Sequence, residues 1–301
     1  MKNVVLLLPA LLLIQCARFS PPTGYPSSQP GAPPYPAQQP TQALTAPAYP
    51  TAAHAAPSPA TSSVSWQHAS SVRSTSLPGG AEMHEFTARS ATESAQVSVV
   101  IFESTRCALR VLDQPSSHAG GGAITPLMRN SGAIAGVNGG FFHPDFSTLG
   151  LMICDGRKTG QFTRSSLISG AVLMVANEPY LVWNDEFLGE TGVAQMLQAG
   201  PRLVDGGQPM TTLNRTKNAV RTFVATDGVR RWAIGTVHST SLAGLGDLLA
   251  SPGLLPDMTV QRALNLDGGH STALYVRTGD GQEISRPGWS TVRNYLAVVP
   301  R

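Results

Sequence analysis

The sequence predicts an α+β fold: one domain of mostly antiparallel, mixed sheets flanked by a few helices. Two observations support this prediction. Short apolar segments of strand length recur from about residue 95 to the C-terminus, and turn signals rich in Gly, Pro, Asn and Asp separate them. Segments with helical periodicity are fewer. Many strands with few helices favour antiparallel sheets over a regular alternation of strand and helix.

The strand segments are apolar runs bounded by turn residues. They lie at 97–102, 108–112, 133–137, 167–175, 180–183, 223–226, 232–237, 272–276 and 295–299. Asp227-Gly228, between two of these runs, predicts a hairpin. Helices are predicted at 125–132, 191–198 and 242–250, and a fourth after residue 257, leading to 264.

The N-terminal residues 1–16 resemble a secretory signal peptide. The apolar run at 4–14, broken only by Pro9, follows Lys2 and is too short to span a bilayer. Cys16 closes a sequence similar to a lipoprotein signal box, although Gln15 stands where a small residue is usual. Either Cys16 is lipidated, or cleavage nearby removes it. We expect an exported protein, periplasmic or a membrane-anchored lipoprotein, alternatively secreted, with membrane contact only through an N-terminal lipid anchor.

Residues 17–79 form a spacer rich in Pro, Ser and Ala, and a single domain is expected at 80–301. The spacer has almost no charge and no apolar periodicity, which is typical of chains that bury no core. The remaining roughly 220 residues suffice for one sizeable core. The net charge of +3 is scattered and gives no basic stripe for nucleic acid. Cys107 and Cys154 form either a disulfide or two free thiols.

Polar motifs follow the apolar strands in three places, where sites tend to form. At 136–142, a strand runs into Asn138, Gly139 and Gly140, whose backbone a ligand can approach closely. Arg202 follows a Gly-Pro pair, and Arg221 begins a strand. Each arginine either binds an anion or forms a structural salt bridge. The motif around Asn138 is equally compatible with a tight turn.

The segment at 263–272 carries the candidate catalytic carboxylate. Alternation places Asn265 and Asp267 on one face of a strand, with two leucines on the other face. Gly268 and Gly269 then open the backbone, and His270 follows. Asp267 is the predicted catalytic carboxylate. The alternative is an Asp that caps its own loop.

Together these motifs resemble the phosphodiester glycosidase family. The resemblance extends over about 95–300 and lies in NGGFF at 138–142, GPRLV at 200–204, RT at 221–222, NLDGG at 265–269, the hydroxyl pair at 271–272 and the closing stretch at 286–299. His270 stands where we expect a third glycine, and the stretch from 286 to 294 is longer than usual. Both departures bear on substrate identity.

The resemblance implies hydrolysis of a sugar-1-phosphodiester at the anomeric carbon, in the cell envelope or outside the cell. For this reaction we assign Asp267 and His270 to catalysis. Substrate binding is assigned to Asn138, Gly139, Gly140, Arg202, Arg221, Asn265, Gly268 and Gly269. A phosphomonoester is a good leaving group, so cations that stabilise its charge matter more than a proton donor.

Other possibilities remain open from sequence. The chain is alternatively a hydrolase of phosphate-free polysaccharide, or an envelope protein that binds glycan without turnover. An ordinary glycosidase needs a second carboxylate, and Asp145, Asp155 and Glu186 are the candidates. His270 is a proton donor, a phosphate ligand or a structural residue. No cofactor is predicted, and calcium or magnesium at Asp267 stays open.

Overall fold

The structure is a computed structural model that describes Tyr49, residues 64–114 and residues 124–301. The predicted signal peptide with its lipobox, and most of the predicted spacer, lie outside the described residues.

The described residues form β-strands with two α-helices, α1 (Ile124–Ser131) and α2 (Leu242–Ala250). In chain order the strands are β1 (Gln67–His68), β2 (Arg73–Ser76), β3 (Glu82–Arg89), β4 (Ser94–Glu103), β5 (Cys107–Asp113), β6 (Ala135–Asn138), β7 (Met152–Cys154), β8 (Arg157–Thr159), β9 (Gly170–Val175), β10 (Glu178–Trp183), β11 (Val193–Ala199), β12 (Arg202–Asp205), β13 (Gln208–Pro209), β14 (Ala219–Thr226), β15 (Arg231–Thr240), β16 (Arg262–Asn265), β17 (Leu274–Arg277), β18 (Glu283–Arg286) and β19 (Asn294–Pro300).

These strands build three antiparallel sheets. The large sheet has nine strands in the order β1-β3-β4-β15-β14-β16-β12-β13, with β2 also paired to β3. A second sheet has the order β10-β9-β11-β7-β8, and a third has the order β18-β17-β6-β19-β5. The prediction of antiparallel sheets with few helices is confirmed, and the fold is mostly β.

One apolar core lies where the three sheets meet. It takes Val100 and Leu264 from the large sheet, Leu197 from the second and Val137 from the third. The other face of the large sheet packs on α2, whose Leu245 is fully buried. Each sheet therefore buries apolar side chains on both faces. The site forms at the strand ends, where polar groups gather.

The large sheet begins before residue 80. Strands β1 and β2 both pair with β3, and Trp66 and Leu77 are 3% and 5% exposed. The last residues of the predicted spacer thus belong to the folded part, because these two large side chains complete the apolar clusters on the two faces of the sheet.

Two predicted helices are wrong. Residues 193–199 form β11, which pairs with both β9 and β7, and its side chains are buried on both faces. An apolar spacing that fits a helix also fits a strand covered on both sides. Residues 257–264 form no helix, and β16 begins at Arg262.

The other two helices are confirmed as α1 and α2. The hairpin at Asp227-Gly228 joins β14 to β15. Asp227 holds this turn because its Oδ1 accepts hydrogen bonds from the amides of Val229, Arg230 and Arg231.

Cys107 and Cys154 are free thiols. Burial raises the pKa of both, and the Cys154 thiol donates to the Val111 carbonyl at 3.1 Å. None of the described helices combines the length and the apolar character needed to cross a bilayer.

Candidate active site

The candidate site lies where a strand of the large sheet and a strand of the third sheet end side by side. Strand β6 ends at Asn138, and β16 leads to Asp267. The Asp267 amide donates to the Gly139 carbonyl at 2.9 Å, and Asn138 Nδ2 donates to the Asp267 carbonyl at 2.6 Å. Two motifs that lie far apart in sequence are therefore joined through their backbones.

Asn138 is an internal crosslink. Its side chain is fully buried, and Oδ1 accepts from Thr222 Oγ1 at 2.8 Å and from the Ala273 amide at 3.1 Å. Both ends of the amide are occupied, so Asn138 ties the end of β6 to β14 and to the loop between β16 and β17. This geometry does not support contact between Asn138 and a substrate hydroxyl.

Gly139 and Gly140 allow a close approach to Asn294. The Gly140 amide donates to Asn294 Oδ1 at 2.7 Å, and a Cβ on Gly139 would lie 2.0 Å from that oxygen. Gly139 is required because Asn294, at the start of β19, occupies the space of its side chain, and Gly140 because a Cβ there would meet the Gln198 carbonyl at 2.7 Å.

Asp267 stands on the loop that crosses from β16 in the large sheet to β17 in the third. Its Oδ1 accepts from the Gly268 amide at 2.8 Å, and the Ser271 hydroxyl also hydrogen bonds to the carboxyl. Burial outweighs these bonds and raises the pKa of Asp267 above its ordinary value. A half-buried carboxyl with a raised pKa at a strand end is typical of a catalytic acid, base or nucleophile.

Gly268 and Gly269 shape this loop. A Cβ on Gly268 would meet the Val220 carbonyl at 2.8 Å, and Gly269 has a φ of 62°, which favours glycine. His270 follows in a short 3-10 turn (Gly269–Ser271) and is exposed. The His270 carbonyl accepts hydrogen bonds from the amides of Trp289 and Ser290. These bonds hold the loop between β18 and β19 against the 3-10 turn.

Asn265 keeps an unused acceptor. Its side chain is 4% exposed, and Nδ2 donates to the carbonyls of Gly200 and Leu266 at 2.8 and 2.6 Å. Its Oδ1 is buried without a hydrogen-bond partner among the residues described. Such an orphan acceptor is costly unless a ligand or water donates to it.

Arg221 lies close to Asp267 along the sheet. Phe223 pairs with Asn265, and the Leu266 amide donates to the Thr222 carbonyl, so the register brings Arg221 opposite Asp267. The guanidinium donates to the carbonyls of Thr240 and Lys217, at 3.2 and 2.6 Å. Within the described part of the chain no carboxylate pairs with it, and burial lowers its pKa.

Arg202 lies in a different cluster. Its guanidinium is 3.6 Å from Asp185 and 3.8 Å from Asp205, and it lies over the Trp183 ring at 4.9 Å. Arg262 approaches the same ring at 5.1 Å. The Arg202 side chain thus lies with that of Arg262, although its backbone pairs with Leu264, and Asp267 follows the opposite end of β16.

The three candidate second carboxylates are occupied elsewhere. Asp155 pairs with Arg110 at 2.8 Å, and both oxygens of Glu186 accept from Arg262 at 2.7 Å. Asp145 accepts from the amide and hydroxyl of Ser147. Across residues 64–114 and 124–301, no three His, Cys, Asp or Glu side chains cluster as a metal site.

A cleft beside the Asp267 loop brings in residues that the motifs did not indicate. It is lined by Gly269 and Thr272 from the loop, Thr236 and His238 from β15, and Arg286 from β18. Arg286 pairs with Glu85 at 2.5 Å and donates to Ser98. Burial lowers the pKa of His238, and nearby Arg286 lowers it further. No sequence motif indicated His238; in the structure the next residue, Ser239, has a φ of 63° at a bulge in β15.

Replacing Asp267 with Asn is expected to stabilise the fold at neutral pH. Burial raises the folded pKa of Asp267, so ionisation costs the folded state free energy at pH values above that pKa. The gain of Asp267→Asn in free energy of unfolding is largest at pH 7. It shrinks as pH falls through the folded pKa and vanishes below the ordinary value of 3.8.

Urea unfolding at pH 7 and pH 4 measures this difference. Asp257→Asn is the control, because Asp257 is exposed and its φ of 50° suits Asn equally well. A variant no more stable than wild type at pH 7 contradicts the account of a destabilised carboxylate.

Comparison with known proteins identifies the family of this chain. The phosphodiester glycosidase family model matches residues 131–299, more than half of the chain. The zebrafish N-acetylglucosamine-1-phosphodiester alpha-N-acetylglucosaminidase catalytic domain, auto-inhibited by its pro-peptide, is 17% identical. The match covers 80% of this chain and 89% of that chain, with a TM-score of 0.51.

A hypothetical protein from Synechocystis is 16% identical, and the match covers 77% of this chain and 64% of that chain, with a TM-score of 0.53. At such identities the likeness shows the fold alone. No curated protein matches the chain in sequence. The family model covers β6, β16 and β19, which carry the site, and on this basis the chain belongs to the phosphodiester glycosidase family.

Proposed function

We propose that the protein hydrolyses a sugar-1-phosphodiester at the anomeric carbon. The observation that carries this proposal is Asp267, a half-buried carboxyl with a raised pKa on a glycine loop inside the family match. The zebrafish relative is named for action on an N-acetylglucosamine-1-phosphodiester. We propose that the substrate of this chain has the same type of bond, and we do not specify its sugar.

Asp267 acts as nucleophile on the anomeric carbon, or as base on the attacking water. Either role needs the ionised carboxylate, and the transition state has oxocarbenium character. The phosphomonoester departs as an anion, so it needs less protonation than a sugar alcohol. This agrees with a site in which the three candidate second carboxylates are engaged by other groups.

Arg221 is the proposed cation for the departing phosphate. Its guanidinium has carbonyl partners but no carboxylate partner among the described residues, and continuing the strand register by two residues places the Arg221 backbone opposite Asp267. An incoming phosphate would give the half-buried Arg221 the counterion that it lacks. Arg202 already contacts Asp185 and Asp205, so phosphate binding would stabilise it less. Asn265, with its orphan Oδ1, accepts from a substrate hydroxyl in this proposal.

Replacing Arg221 with Met is expected to lower kcat/KM on sugar phosphodiesters on the order of 100-fold, the usual effect of losing one preorganised charge stabiliser. The same variant keeps its activity on a nitrophenyl glycoside of the same sugar, because no phosphate leaves. Arg230→Met, in the exposed hairpin turn, is the matched control. Equal losses on both substrates contradict a phosphate role for Arg221.

The test of the proposed function is product release from a panel of sugar-1-phosphodiesters that includes UDP-N-acetylglucosamine. We expect both a reducing sugar and a phosphomonoester from at least one member. Activity confined to phosphate-free glycans supports the polysaccharide hydrolase instead. Saturable binding with no turnover of any substrate supports a glycan-binding protein.

We also propose that the protein is exported. The apolar run at 4–14 with the preceding Lys2 supports this, and it fits a substrate found in the envelope or outside the cell. Lipidation of Cys16 is tested by mass spectrometry of the mature N-terminus. A soluble product that lacks Cys16 favours secretion over anchoring.

A further inference from the structure

Trp289 is the only strongly exposed tryptophan among the described residues. Its side chain is 90% exposed, whereas Trp66, Trp183 and Trp232 are 2–3% exposed. A large aromatic ring left in water forfeits the apolar burial that normally stabilises it. Aromatic side chains commonly line small-molecule sites.

The loop that carries Trp289 is held in place at several points. The amides of Trp289 and Ser290 donate to the His270 carbonyl at 2.7 and 3.1 Å. Gly288 packs so closely on this turn that a Cβ would meet the same carbonyl at 2.9 Å. Further along, Arg293 forms a two-pronged pair with Asp113. The backbone that carries the exposed ring is therefore held beside the Asp267 loop.

Trp289 lies on the wall of the cleft described above. The cleft has a volume of about 110 Å³. A single water occupies only roughly 10–15 Å³ on this measure, so the cleft admits a larger polar group. Its other walls carry Thr236, Thr272, His238 and Arg286, which offer both donors and acceptors. An aromatic ring in the same cleft as hydrogen-bonding side chains matches a sugar ring, which has apolar C–H faces and a hydroxyl rim.

We infer that Trp289 is the stacking platform for the sugar ring of the substrate and that the facing residues of the cleft bind its hydroxyls. This inference rests on the proposed function. The Trp289 amide donates to the carbonyl of His270, three positions after Asp267, so a sugar stacked on Trp289 lies beside the loop that carries the proposed catalytic carboxylate. A phosphate is disfavoured there because the face of an aromatic ring carries partial negative charge.

Acrylamide quenching of tryptophan fluorescence in the full-length chain tests this directly, because Trp289 is the exposed tryptophan. N-acetylglucosamine-1-phosphate and glucose-1-phosphate serve as sugar probes, and UDP serves as a probe without sugar. We expect a sugar phosphate to reduce the quenching constant at least twofold, and Trp289→Phe to lack the quenchable component. Protection by UDP alone, or by none of the probes, overturns the inference.

Steady-state kinetics distinguish a stacking platform for substrate from a residue that has only a structural role. Trp289→Ala is expected to raise KM on the order of tenfold with little change in kcat, as lost stacking predicts, and Trp289→Phe restores most of the affinity. Val229→Ala, at a side chain 61% exposed in the distant hairpin, is the control. Unchanged KM in Trp289→Ala overturns the inference.

The two proposals can fail separately. If no sugar phosphodiester is turned over, protection of Trp289 by a sugar phosphate still supports the platform, and the proposed reaction falls. If phosphodiesters are turned over and Trp289 stays equally quenchable with sugar bound, the reaction stands and the platform falls.

Discussion

Asp267→Asn is expected to lose at least about 1,000-fold in kcat while the fold stays intact. The loss is large because the carboxylate forms a bond to the anomeric carbon or removes a proton from water, and an amide does neither at useful rates. The fold survives because an Asn oxygen still accepts from the Gly268 amide, as Oδ1 of Asp267 does. The gain in stability at neutral pH argued above separates lost chemistry from lost structure.

The assay compares wild type, Asp267→Asn and Asp257→Asn on the same phosphodiester. Asp257→Asn removes an exposed carboxylate in the loop between α2 and β16, and we expect this variant to keep full activity. Substantial turnover by Asp267→Asn would assign catalysis to another group, and His238 and His270 would be the next candidates because both lie on the cleft or its loop.

Asn138→Ala is expected to give the largest loss of stability. Its amide satisfies the Asp267 carbonyl, the Thr222 hydroxyl and the Ala273 amide, all at a fully buried position. Alanine leaves these groups without that partner and opens a cavity. The unfolding free energy should fall by about 3 kcal/mol or more, equivalent to a decrease in Tm of roughly 10 °C.

Thermal unfolding followed by circular dichroism measures this loss. Asn218→Ala, at an exposed position on the approach to β14, should change Tm by less than about 2 °C. If Asn138→Ala melts like wild type yet raises KM, then Asn138 binds substrate, and the crosslink described here contributes little.

The strands were predictable to a large extent because they alternate or run apolar between turns, as β15 and β19 do. Strand β11 was not predictable, since the spacing of its apolar residues suits both a helix and a strand. Only pairing with β7 and β9 decides between the two. The polar strands β1 and β2 carry no apolar signal of their own. Pairing with β3 makes them part of the sheet.

The site was predictable as a set of motifs but not as an arrangement. Sequence indicated both Asn138 and Asp267, yet their hydrogen bond depends on how two sheets meet. It treated Arg202 and Arg221 alike, and only the ion pairs to Asp185 and Asp205 distinguish them. His238 sits in a strand with no motif. Its position in the cleft follows from the order of strands in the large sheet.

The central claim is that water attacks the anomeric carbon and leaves the phosphorus untouched. Hydrolysis of a sugar-1-phosphodiester in water enriched in oxygen-18, followed by mass spectrometry of the phosphomonoester, tests it most directly. The account predicts a phosphomonoester that carries no label, because the bond between carbon and oxygen breaks. Oxygen-18 in the phosphomonoester would show attack at phosphorus and contradict a glycosidase mechanism at Asp267.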